Sequence, residues 1–198
     1  IIPVEVLQSV ITIPADPNTT EWGIVIMDLS VDLPEDSDGV VRLLLYGGVE
    51  LASDNQNVSD QFTAPMQAIT VQMDDTASCR TAPSGMLIQS PSGQTATMMV
   101  NNVELRVGST AFLTLRDDNS RLTVANLQGH VTITSNGVSR DVDSGYESYV
   151  EYDDTEGDWS DPEDPYEFGD EYEDVDFDEL GDIIDLDATY AGPDSKDD

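Results

Sequence analysis

The sequence predicts an all-β chain: an antiparallel β-sandwich, built as one domain or two related ones, with a long acidic C-terminal extension. Four observations lead there. Short β-branched runs alternate with period two, turn residues recur at brief intervals, and no dozen residues carry a 3.6 period. The fourth is a charge split. Residues 1–150 hold 19 acids and six arginines, a net of −13, whereas 151–198 hold 22 acids and Lys196, a net of −21.

The elements follow in order. Val4-Glu5-Val6 and Val10-Ile11-Thr12-Ile13 are short strands. Trp22-Gly23-Ile24-Val25-Ile26-Met27 leads into Leu29-Ser30-Val31-Asp32-Leu33. Turn signals lie at 14–17, 34–39, 47–48 and 53–57. Strands at 95–100 and 103–107 flank Asn101-Asn102, and Asn tolerates the positive φ of a two-residue hairpin loop. Strands at 110–116 and 121–125 flank a polar turn, Asp117-Asp118-Asn119-Ser120. Strands at 131–134 and 138–142 flank Ser135-Asn136-Gly137, a strong type I′ signal.

A faint repeat relates Leu45-Tyr46-Gly47-Gly48-Val49-Glu50-Leu51 to Leu127-Gln128-Gly129-His130-Val131-Thr132-Ile133. It reads either as a duplication or as two hairpins of similar size. The predicted organisation is an N-terminal β-domain, or first half of a sheet, at 1–75. A Thr/Ala/Ser/Pro/Gly-rich linker follows at 76–85, a β-domain at 86–152, and an acidic aromatic tail at 153–198.

Seven Lys+Arg against 41 Asp+Glu give 7 − 41 = −34. Such a surface does not grip nucleic-acid phosphates or anionic lipid. The most apolar stretch, 40–51, contains Arg42, Gly47, Gly48 and Glu50, so no transmembrane segment is expected. The start at Ile1 is read as processing or as a sequence boundary. Cys79 is the one cysteine, which leaves no internal disulfide. Asn18-Thr19-Thr20 and Asn57-Val58-Ser59 fit the N-glycosylation pattern, making Asn18 and Asn57 candidate acceptors.

Catalytic signals are lacking. His130 is the one histidine, and there is no Gly-x-Ser-x-Gly elbow, P-loop or dinucleotide fingerprint. The expectation is a protein without enzymatic activity.

The tail points two ways. Its composition reads as disordered. Yet seven of the chain's 13 aromatics lie in residues 151–198, and large rings suit a docking segment. The candidate partner-binding residues are Trp159, Tyr166, Phe168, Tyr172, Val175, Phe177, Ile184 and Leu186. Extended, the tail can add to a sheet edge; residues 177–186 can also form a short helix. Asp174, Asp176, Asp178, Asp182 and Asp185 offer oxygen ligands to Ca²⁺, although the EF-hand spacing is absent.

From Val107 to Val150 the sequence resembles the FecR-like β-domain. The residues concerned are Gly108-Ser109-Thr110-Ala111-Phe112, the hairpin Leu127-Gln128-Gly129-His130-Val131-Thr132-Ile133, and the closing Val142-Asp143-Ser144-Gly145. Leu87-Ile88-Gln89-Ser90-Pro91 resembles the strand and proline that precede it, extending the likeness to about 86–152. The resemblance implies an extracytoplasmic β-domain used for protein contact without catalysis.

The leading expectation is therefore a secreted structural protein. It would be a homo-oligomer or polymer, such as an extracellular filament or surface assembly, joined through the acidic tail and bridged by Ca²⁺. The alternatives are a glycan- or cell-surface-binding module, stacking sugars on Trp22, Tyr146, Tyr149 or Trp159, and a protein-interaction sensor domain.

Overall fold

The computed structural model describes residues 8–14, 23–30, 40–54, 67–74, 84–91, 93–116 and 118–167. These residues form two sheets and, among them, no helix. The strands are β1 (Ser9–Ile11), β2 (Ile24–Ser30), β3 (Val40–Tyr46), β4 (Val49–Ser53), β5 (Ala68–Met73), β6 (Gly85–Gln89), β7 (Ala96–Val100) and β8 (Val103–Val107). They continue with β9 (Thr110–Arg116), β10 (Arg121–Gln128), β11 (His130–Ser135), β12 (Val138–Asp143), β13 (Tyr146–Asp153), β14 (Asp158–Trp159) and β15 (Tyr166–Glu167).

One sheet has the order β1-β4-β5-β7-β8-β11-β12; the other runs β2-β3-β6-β9-β10-β13-β14, with β15 also on β13. Strands therefore succeed one another in chain order across both layers. The chain shuttles between them: β3, β6, β9, β10 and β13 lie in one layer, and the hairpins β4–β5, β7–β8 and β11–β12 in the other. All pairings are antiparallel except β5–β7, which is parallel through Ala68↔Met99 and Ile69↔Val100. Asn101 prolongs that short seam. Its Oδ1 accepts the Val71 N–H at 2.7 Å and its Nδ2 donates to the Val71 carbonyl at 2.9 Å.

The alternating residues face inward as the period demands. Val103, Leu105 and Val107 on β8 pack with Leu113, Leu122, Val124 and Val150 of the facing sheet in one core. Strands from before and after 76–85 share that core and both sheets: β3 pairs β6, and β5 pairs β7. Residues 75–83 lie outside the described set.

The expected hairpin turns are present. Asn101 and Asn102 have φ of 51° and 67°, and Asn136 and Gly137 have φ of 52° and 76°. The segment Leu127–Ile133 differs from its reading as a hairpin. β10 and β11 belong to different sheets, so Gly129 is a corner between layers. One residue cannot close an antiparallel hairpin, whose common loops begin at two. The related Tyr46-Gly47-Gly48-Val49 makes the same kind of crossing, and Gly47 and Gly129 have φ of 73° and 80°.

Candidate functional site

The described part of the acidic tail folds back on its own sheet. Asp153 ends β13, and its Oδ1 accepts the Thr155 N–H at 2.7 Å, fixing the turn into β14. The Thr155 N–H, with the Glu156 N–H at 3.3 Å from the same oxygen, holds the Asp153 carboxyl below its ordinary range. β14 pairs through Tyr152↔Trp159, with the two rings edge-to-face at 5.3 Å. Trp159 is buried and joins the common core. The chain then runs beside β13: the Ser148 hydroxyl donates to the Glu163 carbonyl at 2.7 Å, and β15 pairs through Glu147↔Tyr166. Tyr166 meets Tyr149 edge-to-face at 6.3 Å, and the Arg121 guanidinium lies 4.7 Å over the Tyr149 ring.

Of the expected partner-binding residues, Trp159 is thus inside the protein and Tyr166 is at the sheet edge with 39% exposure. Phe168, Tyr172, Val175, Phe177, Ile184 and Leu186 lie outside the described residues. So do Asp174, Asp176, Asp178, Asp182, Asp185, Asn18, Asn57, Cys79 and Trp22. Among the described residues, no cluster of three His, Cys, Asp or Glu side chains is arranged to hold a metal ion. No described helix is long and apolar enough to cross a membrane.

His130 stands on an exposed face of β11. Its Nε2 lies 3.5 Å from Asp141 Oδ1 across the β11–β12 pair, and the Thr132 hydroxyl donates to the same carboxylate at 2.8 Å. A groove of about 470 Å³ opens at one end of the larger sheet, lined by Asp28, Arg42, Gln89, Ser90, Ser109 and Gln128 among others. Among the described residues, no aromatic ring lines it. Tyr146 and Tyr149 are half-buried beside β15 rather than displayed on a platform.

The sequence reading did not single out the opposite lateral side. There β1 pairs with β4 and β2 with β3, leaving each strand terminal in its sheet among the described strands. Gly23 donates its N–H to the Ile13 carbonyl at 3.1 Å, joining the two margins. This side displays Ile11 at 67%, Ile13 at 72%, Ile24 at 39% and Ile26 at 50% exposure. By contrast β12, terminal at the far side, presents Ser139, Arg140, Asp141 and Asp143.

No family profile and no curated protein sequence matches the chain. Two crystal structures described as putative anti-sigma factors, both from Parabacteroides distasonis ATCC 8503, are similar to it. One aligns with 10% identity and a TM-score of 0.43, over 80% of this chain and 60% of that one. The other has 13% identity and a TM-score of 0.36, over 71% and 60%. The chain thus spans about 60% of the solved chains it matches.

Proposed function

We propose that this chain is a secreted, non-catalytic assembly protein, a subunit of an extracellular filament or surface structure. The observation that carries the reading is the margin where β1 and β2 are terminal among the described strands, with Ile11, Ile13, Ile24 and Ile26 exposed on or beside them. Unpaired strand edges bearing apolar side chains are templates for another chain, and soluble proteins ordinarily guard them with charge or proline. Pro14 follows Ile13 and Asp28 lies on β2, yet the four isoleucines still stand exposed beside them. The FecR-like features of residues 86–152 fit an extracytoplasmic domain whose work is protein contact.

The second element is the net charge of −34. Copies can approach closely only if counter-ions neutralise their facing carboxylates, and divalent cations do so most effectively. The acidic tail, including Asp174, Asp176 and Asp178, is the densest source of such groups.

The test is the size distribution by sedimentation in millimolar calcium, then in excess chelator. Large species that dissociate with chelator are expected. Large species indifferent to chelator would retain assembly and remove calcium from it. A monomer near 21.5 kDa in both conditions would overturn the assembly reading in favour of a glycan-binding or sensor module.

A further inference from the structure

The outward face of the smaller sheet carries its polar groups in rows. Cross-strand registers place Thr97, Arg106, Thr132 and Asp141 at one level of β7, β8, β11 and β12. One pleat along, Met99, Glu104, Thr134 and Ser139 stand at a second level. They point away from the core, because Met98, Leu105 and Ile133 alternate with them inside it, and none of the eight is buried. On β11 and β12 these groups satisfy one another. The Thr132 hydroxyl donates to Asp141 at 2.8 Å, and the Thr134 and Ser139 hydroxyls lie 2.9 Å apart. On β8 they do not. Arg42, Arg121 and Arg140 meet Asp28, Glu151 and Asp164. Among the described residues, neither Arg106 nor Glu104 has a side-chain hydrogen bond or an ion pair.

We propose that this face docks on the same face of a second copy, pairing two filaments side by side. The inference rests on the assembly reading above and adds a lateral contact to it. Charge selects the geometry. Let a two-fold axis lie between the faces and run across the strands, level with Leu105. Each β8 then faces its counterpart antiparallel, with Glu104 opposite the second copy's Arg106 and Arg106 opposite its Glu104. The same operation sets Asp141 opposite Ser139, Thr132 opposite Thr134 and Thr97 opposite Met99. No like charges meet in these rows. An axis along β8 would instead oppose Arg106 to Arg106 and Glu104 to Glu104, which repel. Sheets packed face to face lie about 10 Å apart, within the combined reach of an arginine and a glutamate.

The favoured axis runs in the direction in which strands succeed one another across the sheet. Copies added at the β1 and β2 margin extend the assembly in that direction, so one axis relates every facing pair along two parallel filaments. A single exposed ion pair contributes little, and the net charge of −34 opposes the approach of free monomers. Repeated along a filament, the pairs act together. The face therefore joins copies that the margin has already gathered and does not by itself dimerise the chain.

Mass per unit length of the filaments formed by the full chain in millimolar calcium, measured by scanning transmission electron microscopy, tests this. Arg106→Glu should halve the native value, because like charges then face each other at every repeat. Glu104→Arg/Arg106→Glu exchanges the two charges, keeps the native net charge of −34 and should restore the native value. Neither side chain is buried, so circular dichroism of both variants should match the native chain. A native value for Arg106→Glu, or a halved value for the exchanged pair, would overturn the proposal and leave the filament standing. Monomeric Arg106→Glu would also overturn it, because the margin should still build single filaments. A native chain that sediments as a monomer would remove the filament itself, and the lateral contact with it.

Discussion

Gly129 approaches Ser109 so closely that a β-carbon on the glycine would sit 2.5 Å from the serine Cβ. Both residues lie where the chain passes between layers: Gly129 links β10 to β11, and Ser109 links β8 to β9. The Gly108 N–H completes the junction by donating to the His130 carbonyl at 2.7 Å. Gly129→Ala introduces a side chain at φ 80° as well as this clash. The backbone strain alone costs about 1–3 kcal/mol. Urea unfolding should show a lower midpoint with an unchanged slope; an unchanged midpoint would mean the corner relaxes freely.

Asn101 serves both its hairpin turn and the β5 backbone. Asn101→Gly preserves the turn's positive φ but removes the two bonds to Val71. The expected loss is about 1–3 kcal/mol, because backbone groups in a sheet interior lose their partner. Amide exchange should accelerate at Val71 and much less at Leu105, two strands away. Uniform acceleration would indicate a general loss of stability rather than an opened seam.

Trp159→Ala removes the ring that anchors the start of the tail in the core. Truncating a buried tryptophan costs about 3–5 kcal/mol. Proteolysis should then cut first within 154–167, with the remaining sandwich persisting longer. Native-like resistance of that segment would show that β14 and β15 hold without the anchor.

Acid separates a local effect from a global one. Arg42 donates from Nε to Asp28 Oδ1 at 2.8 Å, holding the Asp28 carboxyl below its ordinary value of 3.8. A depressed folded-state pKa adds stability above the unfolded value, and this is lost as pH falls through the folded value. Both groups are more than a third exposed, so the pair contributes roughly 0.2–1 kcal/mol. Native protein should exceed Asp28→Asn by that margin at pH 6, with the gap closing below pH 4. A gap that widens in acid would contradict the assignment.

Much of this architecture was legible in local chemistry. Asn101-Asn102 and Asn136-Gly137 marked their hairpins because few residues accept positive φ, and β9 coincides with the expected strand at 110–116. What local patterns do not carry is which layer a strand enters. Leu127 to Ile133 has the same alternation whether the chain turns back or crosses over, and the crossing is decided by contacts with Gly108 and Ser109. The candidate site was less visible. Trp159 signalled docking by its size, but the sequence alone did not say that its own core receives it. The exposed Ile11, Ile13, Ile24 and Ile26 read as ordinary strand residues until the sheet order placed them at a margin.

Assembly through that margin is tested most directly by Ile24→Lys/Ile26→Lys, compared with the native chain by sedimentation in millimolar calcium. Both side chains are already exposed on β2, so the fold should persist with unchanged circular dichroism. The account predicts large species for the native chain and a 21.5 kDa monomer for the variant. Identical distributions for the two proteins would contradict it.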